Sequence, residues 1–557
     1  MKIFEPKLFT TLKGYRKKQL IDDLIAGLIV AIIALPLSIA LAIASGVGPE
    51  KGLYTAIVAG FVIALFGGSR VNISGPTAAF ATIVAGIVAT EGLDGLVIAT
   101  ILAGILLVLF GICRLGSLIK YIPFTITTGF TAGIAVTIII GQLKDFFGLT
   151  PAPGTNAVET IEKIEMLAES FSTFNWQSFL VGALSLAILI VWPRISKKIP
   201  GSLVVVLLGS LAVNLLGMKV NTIGDLYQIS SAPPTPAFPA FTLDRVLHLL
   251  PNALTIALLA AIESLLSCVV SDGMIDDRHN SNTELIAQGL GNICSGLFGG
   301  IPATGAIART AANVKNGGRS PIAGMVHAVV LLLILVVLMP FAAWIPMPVI
   351  AAILLMVAYN MSEWRRFVRI CKTASAADIL VLVVTFVLTV VFDLVVAIAA
   401  GLILAAFLFL KKSADLAEVR EWKADRRDGK QVPYGTVVYE IHGPMFFAAS
   451  DKFLQFPIHE DTRVMIVRMS DVSMLDSTAE QNVERVCEVC KRNGVKLLLA
   501  HVNPQPMETL RRCGIVERLG EDAFCAHIDD AIARAEQILK ACENAADANA
   551  QKAESET

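Results

Sequence analysis

Ile73-Ser74-Gly75-Pro76-Thr77-Ala78-Ala79-Phe80 is the stretch on which the reading of this chain turns. It lies inside a run apolar enough for a membrane, yet Gly75 and Pro76 interrupt it. Glycine admits backbone angles closed to other residues, and proline fits the first turn of a helix but not its interior. The pattern predicts a helix beginning at Pro76, half-way across a bilayer. A helix start carries unpaired N–H groups and a partial positive charge. At that depth it needs an anionic partner, so the stretch points to an anion held by main chain.

The totals agree with a membrane setting. Of 557 residues, 55% are hydrophobic and only 16% charged, against about a quarter charged in soluble proteins. The deficit falls in the first 412 residues, which read as a polytopic membrane domain ahead of a polar tail. A net charge of −1 gives nucleic acid no support. The nine cysteines form no framework and read as free thiols in a reducing compartment. Cys487 and Cys490 lack a second pair or a histidine cluster, so no metal or cofactor is expected. Lys7, Lys13, Arg16, Lys17 and Lys18 precede an apolar run too long for a signal-peptide core.

Outward from the opening stretch, residues 1–22 read as a basic amphipathic segment on the cytoplasmic surface. Apolar spans follow near 23–45 (broken at Pro36), 52–67, 93–112, 121–141, 177–195, 200–217, 251–270 (containing Glu263), 284–298, 320–339, 347–361, 376–391 and 393–411. The opening pattern returns once. Residues 299–305 are Gly/Pro-rich and lead into a helical stretch, 306–315, too short to cross a bilayer. That makes fourteen segments, of which the third and tenth are interrupted. These are corresponding positions in a 7+7 repeat, and an odd number per repeat inverts the halves. Paired broken segments are the best sequence pointer to a transporter's substrate site. Arg70, Arg114, Lys120, Arg194, Lys197, Lys198, Lys315, Arg319, Arg365, Arg366, Arg369, Lys372, Lys411 and Lys412 all fall in inner loops if the N-terminus is inside. Both short helices then start near the midplane.

Residues 413–432 read as a linker. Strand-like runs at 435–441, 464–469 and 495–500 alternate with helical patterns at 480–492, 507–513 and 529–542, which predicts a small α/β domain over 433–545. Residues 546–557 read as disordered.

Together the pieces resemble the SulP anion transporter family (SLC26 in animals) with its carboxy-terminal STAS domain. The resemblance is carried by Gly52–Ala56, Gly67-Gly68-Ser69-Arg70, the opening stretch, Tyr121-Ile122-Pro123 and Pro302–Thr310. Gly443-Pro444-Met445-Phe446-Phe447 and Leu475-Asp476-Ser477-Thr478 carry it in the tail. The wording of 261–267, 303–310 and 354–363 is most similar to bacterial C4-dicarboxylate carriers of the family. The resemblance implies a core and a gate domain, a homodimer and elevator-like alternating access. It also implies a bacterial inner-membrane location with both termini cytoplasmic, contact with membrane lipid, and a cytoplasmic partner for the STAS domain.

The anion is expected between Ser74, Gly75, Pro76, Thr77 and Ala78 on one side and Thr304, Gly305, Ala306, Ile307, Ala308 and Arg309 on the other. The alternative is that these glycines only permit close helix packing. Arg309 either adds positive potential beside the anion or bridges to Glu263. Glu263, an intramembrane carboxyl, either takes up a proton with the substrate, binds Na+, or serves as a structural partner of Arg309. Pro36, Leu37, Ser38 and Leu41 are expected to complete one wall, and Phe80 lines the pocket or belongs to the core. Family members commonly have Gln after this proline, an aromatic residue five positions after it, and Ser before the half-helix arginine. Here Leu37, Leu41 and Ala308 stand there, which favours a carboxylate with an apolar middle over sulfate. The expected function is H+-coupled uptake of a C4-dicarboxylate. Sulfate or bicarbonate transport, an anion channel and a STAS-based sensor are the alternatives. No catalytic triad or P-loop suggests an enzyme. His279 and His327 read as structural or solvated, and Asp272, Asp276 and Asp277 as a solvated cluster. Ser477 matches a position phosphorylated in some stand-alone STAS proteins; the alternative is an unmodified helix cap.

Overall fold

In a bilayer the backbone must satisfy its own hydrogen bonds, so long apolar runs become helices. The computed structural model describes residues 4–117, 122–152, 157, 159–196, 199–239, 242–392, 394–422, 432–453 and 457–555. Lys120, Tyr121, Lys197, Lys198 and residues 423–431 of the expected linker lie outside the described residues. The chain divides into two units, Met1–Leu402 and Ile403–Thr557.

The first unit is helical. Its main elements are α1 (Lys17–Ala44), α2 (Pro49–Phe66), β1 (Ser74–Gly75), α3 (Ala81–Ile112), α4 (Phe124–Phe147), α5 (Trp176–Ile195), α6 (Gly201–Leu216), α7 (Leu243–Ile275), α8 (Ser281–Leu297), β2 (Thr304–Gly305), α9 (Ile307–Lys315), α10 (Pro321–Leu338), α11 (Met347–Ser362) and α12 (Ala376–Val391), with α13 (Leu394–Leu416) closing the apolar sequence. Among the described residues nine helices are long and apolar enough to cross a membrane, and α6 and α12 are shorter apolar helices.

Two expectations about this unit need correction. α1 is one continuous helix with Pro36 inside it; packing neighbours in a membrane bundle compensate for the missing N–H. The third and fourth segments are joined in α3, which bends at Gly92, where φ is 69°. The N-terminal segment does contain a short helix, and it is tied to the rest of the unit. In the helix Lys7–Thr11, the Lys7 N–H donates to Gly67. Lys7 Nζ meets Asp277 at 3.2 Å, and Asp277 also holds Arg70 Nε at 3.0 Å. Asp23, fully buried at the start of α1, accepts the N–H groups of Arg319 and Ser320 and the hydroxyls of Tyr15 and Ser320.

Close packing does account for some of the glycines. A Cβ at Gly104 of α3 would fall 2.6 Å from the Gly289 carbonyl of α8, and the reverse substitution meets the same obstacle at 2.5 Å.

The second unit is a five-stranded sheet in the order β3 (Glu418–Glu421), β4 (Thr436–His442), β5 (Val464–Asp471), β6 (Lys496–Ala500), β7 (Phe524–Cys525). β3 is antiparallel to β4 and the other pairs are parallel. Helices α14 (Ser477–Arg492), α15 (Pro504–Arg512) and α16 (Ile528–Ser555) alternate with the strands. The sheet thus reaches back into the expected linker, through a four-residue edge strand too charged to read as one. α16 continues to Ser555 where disorder was expected, in keeping with the helix-forming Ala, Gln, Lys and Glu of that segment. Cys487 and Cys490 are buried in α14, and burial pushes each thiol up to about 11. Both stay protonated at neutral pH and are poor nucleophiles.

α14 is capped by Asp476. One carboxylate oxygen accepts the N–H groups of Thr478 and Ala479 at 3.0 and 2.9 Å, and the other accepts that of Phe447 at 2.9 Å. Asp476→Ala should cost about 1–2 kcal/mol locally. Amide exchange across the first turns of α14 in the full chain should then accelerate roughly tenfold; unchanged exchange would show that the cap is dispensable.

Candidate functional site

β1 and β2 pair antiparallel, Ser74 opposite Gly305 and Gly75 opposite Thr304, and the Ala306 N–H donates to Ile73 at 2.9 Å. Two-residue strands cannot stand alone. They are held by α8, whose Glu284, Gln288, Asn292 and Ser295 share one face at helical spacing and are fully buried. Glu284 accepts the N–H groups of Gly68 and Ser69 at 2.9 and 3.2 Å, Asn72 Nδ2 at 2.8 Å and Gln288 Nε2 at 3.0 Å. Gln288 Nε2 also donates to Ser74 Oγ at 2.9 Å. Asn292 brackets Ala303, accepting its N–H at 2.8 Å and donating to its carbonyl at 2.9 Å. Ser295 donates to Ile301 at 2.7 Å. One helix therefore clamps the crossing strand of each half. α7 adds Ser264, which accepts the Gly305 N–H at 3.0 Å, and Ser267, which donates to Asn72 Oδ1 at 2.8 Å. Sequence reading missed this frame. Its signal was present: polar residues three or four apart in an apolar span must be buried against something polar.

From β1 the chain stays extended through Pro76 and Thr77, then enters a 3-10 turn, Ala78–Phe80, and α3. The helix therefore starts at Ala78 and not at Pro76, because Thr77 is still extended at φ −127°. From β2, Ala306 precedes α9. Neither start carries a side-chain cap, so the cap residue's side chain does not meet the first-turn N–H groups of either.

Arg309 sits between these ends and is 1% exposed. Its Nη2 donates to the Pro76 carbonyl at 3.0 Å and lies 3.4 Å from Ser38 Oγ, while Nε and Nη1 have no partner among the described residues. A Cβ at Gly75 would fall 2.5 Å from Nη1, so this glycine makes room for the guanidinium. Among the described residues no carboxylate pairs with Arg309. Glu263 accepts from Thr77 Oγ1 at 3.0 Å instead, so the bridge offered as an alternative does not form. A buried cation without an anion is costly, and this one lies beside two uncapped helix starts.

The remaining candidates divide. Ser74 is engaged by α8, and Thr304 donates to Ala260 at 3.0 Å and hydrogen-bonds Ser264, so both hydroxyls serve the frame. Gly305 lies in the strand pair; Thr77, Glu263 and Ala306 are half-buried, and Ile307 and Ala308 are exposed. Ser38 reaches Arg309; Leu41, near it in angle around the helix, is buried, and Leu37 is half-buried about a quarter-turn away. Pro36 does not join that wall. At about 100° per residue it points away from Ser38, and it lines a separate apolar cavity of 510 Å³ with Leu35, Ile39, Leu207 and Leu338. Phe80 is fully buried core. His279 is tied to Asp272 at 2.7 Å and Ser281 at 2.9 Å, and Asp272 and Asp277 are engaged rather than merely solvated. Ser477 is exposed as the first residue of α14, and the cap is Asp476.

A polytopic membrane domain with two uncapped helix starts around an unpaired arginine describes an anion transporter. Residues 20–423 match the sulfate permease family and residues 430–531 the STAS domain. This chain belongs to the sulfate permease family, the anion transporters called SLC26 in animals. It is 40% identical to "Putative sulfate transporter YvdB" of Bacillus subtilis, over 93% of this chain and 98% of that protein. It is 28% identical to the bicarbonate transporter BicA of a Picosynechococcus species, over 92% and 94% respectively. The solved transmembrane domain of a cyanobacterial BicA superposes with a TM-score of 0.62 at 31% identity, covering 70% of this chain and 98% of that one. Murine Slc26a9 in the inward-facing state superposes at 0.85 over 95% and 94%, at 19% identity, a likeness of fold.

Proposed function

We propose that this protein is a proton-coupled carrier of a small divalent oxyanion, working by alternating access as a homodimer in the bacterial inner membrane, with both termini cytoplasmic. The observation that carries the reading is the buried guanidinium of Arg309, unpaired and set between two uncapped helix starts, with Glu263 held apart from it by Thr77. The first-turn N–H groups after Thr77 and Ala306 and the free Nε and Nη1 of Arg309 bind the anion. Glu263 takes the proton. The names of the relatives support sulfate. The apolar Leu37 and Leu41 beside Ser38 favour the second reading, a C4-dicarboxylate. Proteoliposome uptake of labelled sulfate, succinate and bicarbonate, with and without an inward proton gradient, separates these. Uptake of bicarbonate alone would sink the divalent reading, and single-channel current would replace the carrier with a channel.

Glu263→Gln should bind the anion and lose most of the stimulation by an acid exterior. If its uptake follows pH as the parent does, Glu263 is not the coupling group.

A further inference from the structure

α10 packs on the first crossing strand through Gly324 and His327. A Cβ at Gly324 would lie 3.5 Å from Ile73 Cδ1, and a Cβ at Gly60 of α2 would lie 3.2 Å from the Ser74 carbonyl and 3.9 Å from His327 Nδ1. The imidazole is thus lodged between α2 and the strand that forms half the site. It is fully buried, well inside α10 and not near a span end as the sequence suggested, and among the described residues neither Nδ1 nor Nε2 has a hydrogen-bond partner. A buried side chain with both nitrogens unmet calls for an explanation. Few charges face it. α1 carries Lys17, Lys18, Asp22 and Asp23 only in its first two turns, where Asp23 is tied to Ser320. α2 carries Glu50 and Lys51 at its opposite end. The charge that acts on the ring is Arg309.

We propose that His327 is a second proton-binding site of the carrier, occupied when a divalent anion is bound, so that one anion travels with two protons. The inference rests on the carrier function proposed above. Charge counting motivates it. Empty, the site holds Arg309 (+) and Glu263 (−) and is neutral. A divalent anion with a proton on Glu263 alone leaves a net negative charge to be moved through a low-dielectric medium. A proton on one ring nitrogen of His327 restores neutrality. The arrangement also supplies the linkage. While Arg309 is unpaired, its charge opposes an imidazolium beside it; an anion between the helix ends offsets that field. Anion and proton then favour each other's binding reciprocally. On the inner side both protons leave with the anion.

The test is proton uptake on binding. The full-length protein in detergent is titrated with sulfate near neutral pH in weak buffer with an indicator dye, and then with succinate. By linkage the parent should take up about two protons per anion, His327→Asn about one, Glu263→Gln about one, and the double variant almost none. Sulfate uptake in liposomes should also become sensitive to membrane potential in His327→Asn. His327→Gln, checked by its melting temperature, serves if the asparagine variant misfolds. Parent-like proton uptake in both histidine variants overturns the proposal and leaves the role of Glu263 standing. Proton uptake unchanged in Glu263→Gln but halved in His327→Asn would instead remove the coupling role given to Glu263. No proton uptake by the parent with either anion overturns both.

Discussion

Arg309→Met is expected to abolish anion uptake, by two orders of magnitude or more, in a protein that still folds and melts no lower than the parent. The two effects part company because the guanidinium is set for a ligand and not for the fold. It makes one good hydrogen bond, to Pro76, and leaves Nε and Nη1 unmet in a fully buried position. Methionine fills a similar volume without a charge to desolvate, and replacing buried charges by apolar residues is often neutral or stabilising. The anion meanwhile loses a desolvated charge partner, a loss of about 3 kcal/mol or more, which is roughly a hundredfold in affinity. Arg309→Lys should fail nearly as badly, since an ammonium cannot hold the Pro76 carbonyl and still present two further N–H groups in a fixed fork. Initial rates of labelled sulfate and succinate uptake, beside thermal unfolding in detergent, check both halves. A melting point that collapses with the activity would make Arg309 a structural residue.

Glu284→Ala should do the reverse and fail as a protein. The carboxylate receives four donors, two from the backbone of Gly68 and Ser69 and two from the amides of Asn72 and Gln288. Removing it leaves those buried donors without their acceptor. At about 1–3 kcal/mol for each unmet buried group, even two of them use up much of the 5–15 kcal/mol that holds a typical domain together. Low yield and early unfolding are expected. Glu284→Gln keeps the shape and one acceptor but turns an amide NH2 toward donors, so it should fold with a melting point several degrees lower. Its uptake should fall because Asn72 loses a charged acceptor and Gln288, which holds Ser74, is loosened. A Glu284→Ala protein as stable and active as the parent would show that the α8 frame does not hold the strands.

Much of this was legible in the residues. The two Gly/Pro-interrupted stretches near 75 and 305 stood out inside apolar sequence, though close helix packing could also have called for their glycines, and they do pair across the two halves. The alternation of strands and helices in the tail was equally plain. What was missed follows from physics that spacing does not show. Pro36 reads as a break, but a membrane helix can absorb a proline when its neighbours compensate. Pro76 reads as the first helical residue, but its carbonyl is turned to Arg309, 233 positions away. The α8 frame was visible as Glu284, Gln288, Asn292 and Ser295 in an apolar span, and was overlooked because such residues attract attention only once their partners are known. β3 was hidden by its charges, and His327 by having no partner that sequence could suggest.

The most direct test of the central claim is to locate the anion. Selenate, a heavier stand-in for sulfate, added at saturating concentration to the full-length protein and located by its anomalous signal, should sit within hydrogen-bonding distance of Arg309 Nε or Nη1 and of the first-turn N–H groups that follow Thr77 and Ala306. Ordered selenate elsewhere in the membrane domain, with the space beside Arg309 left unfilled, would contradict the account.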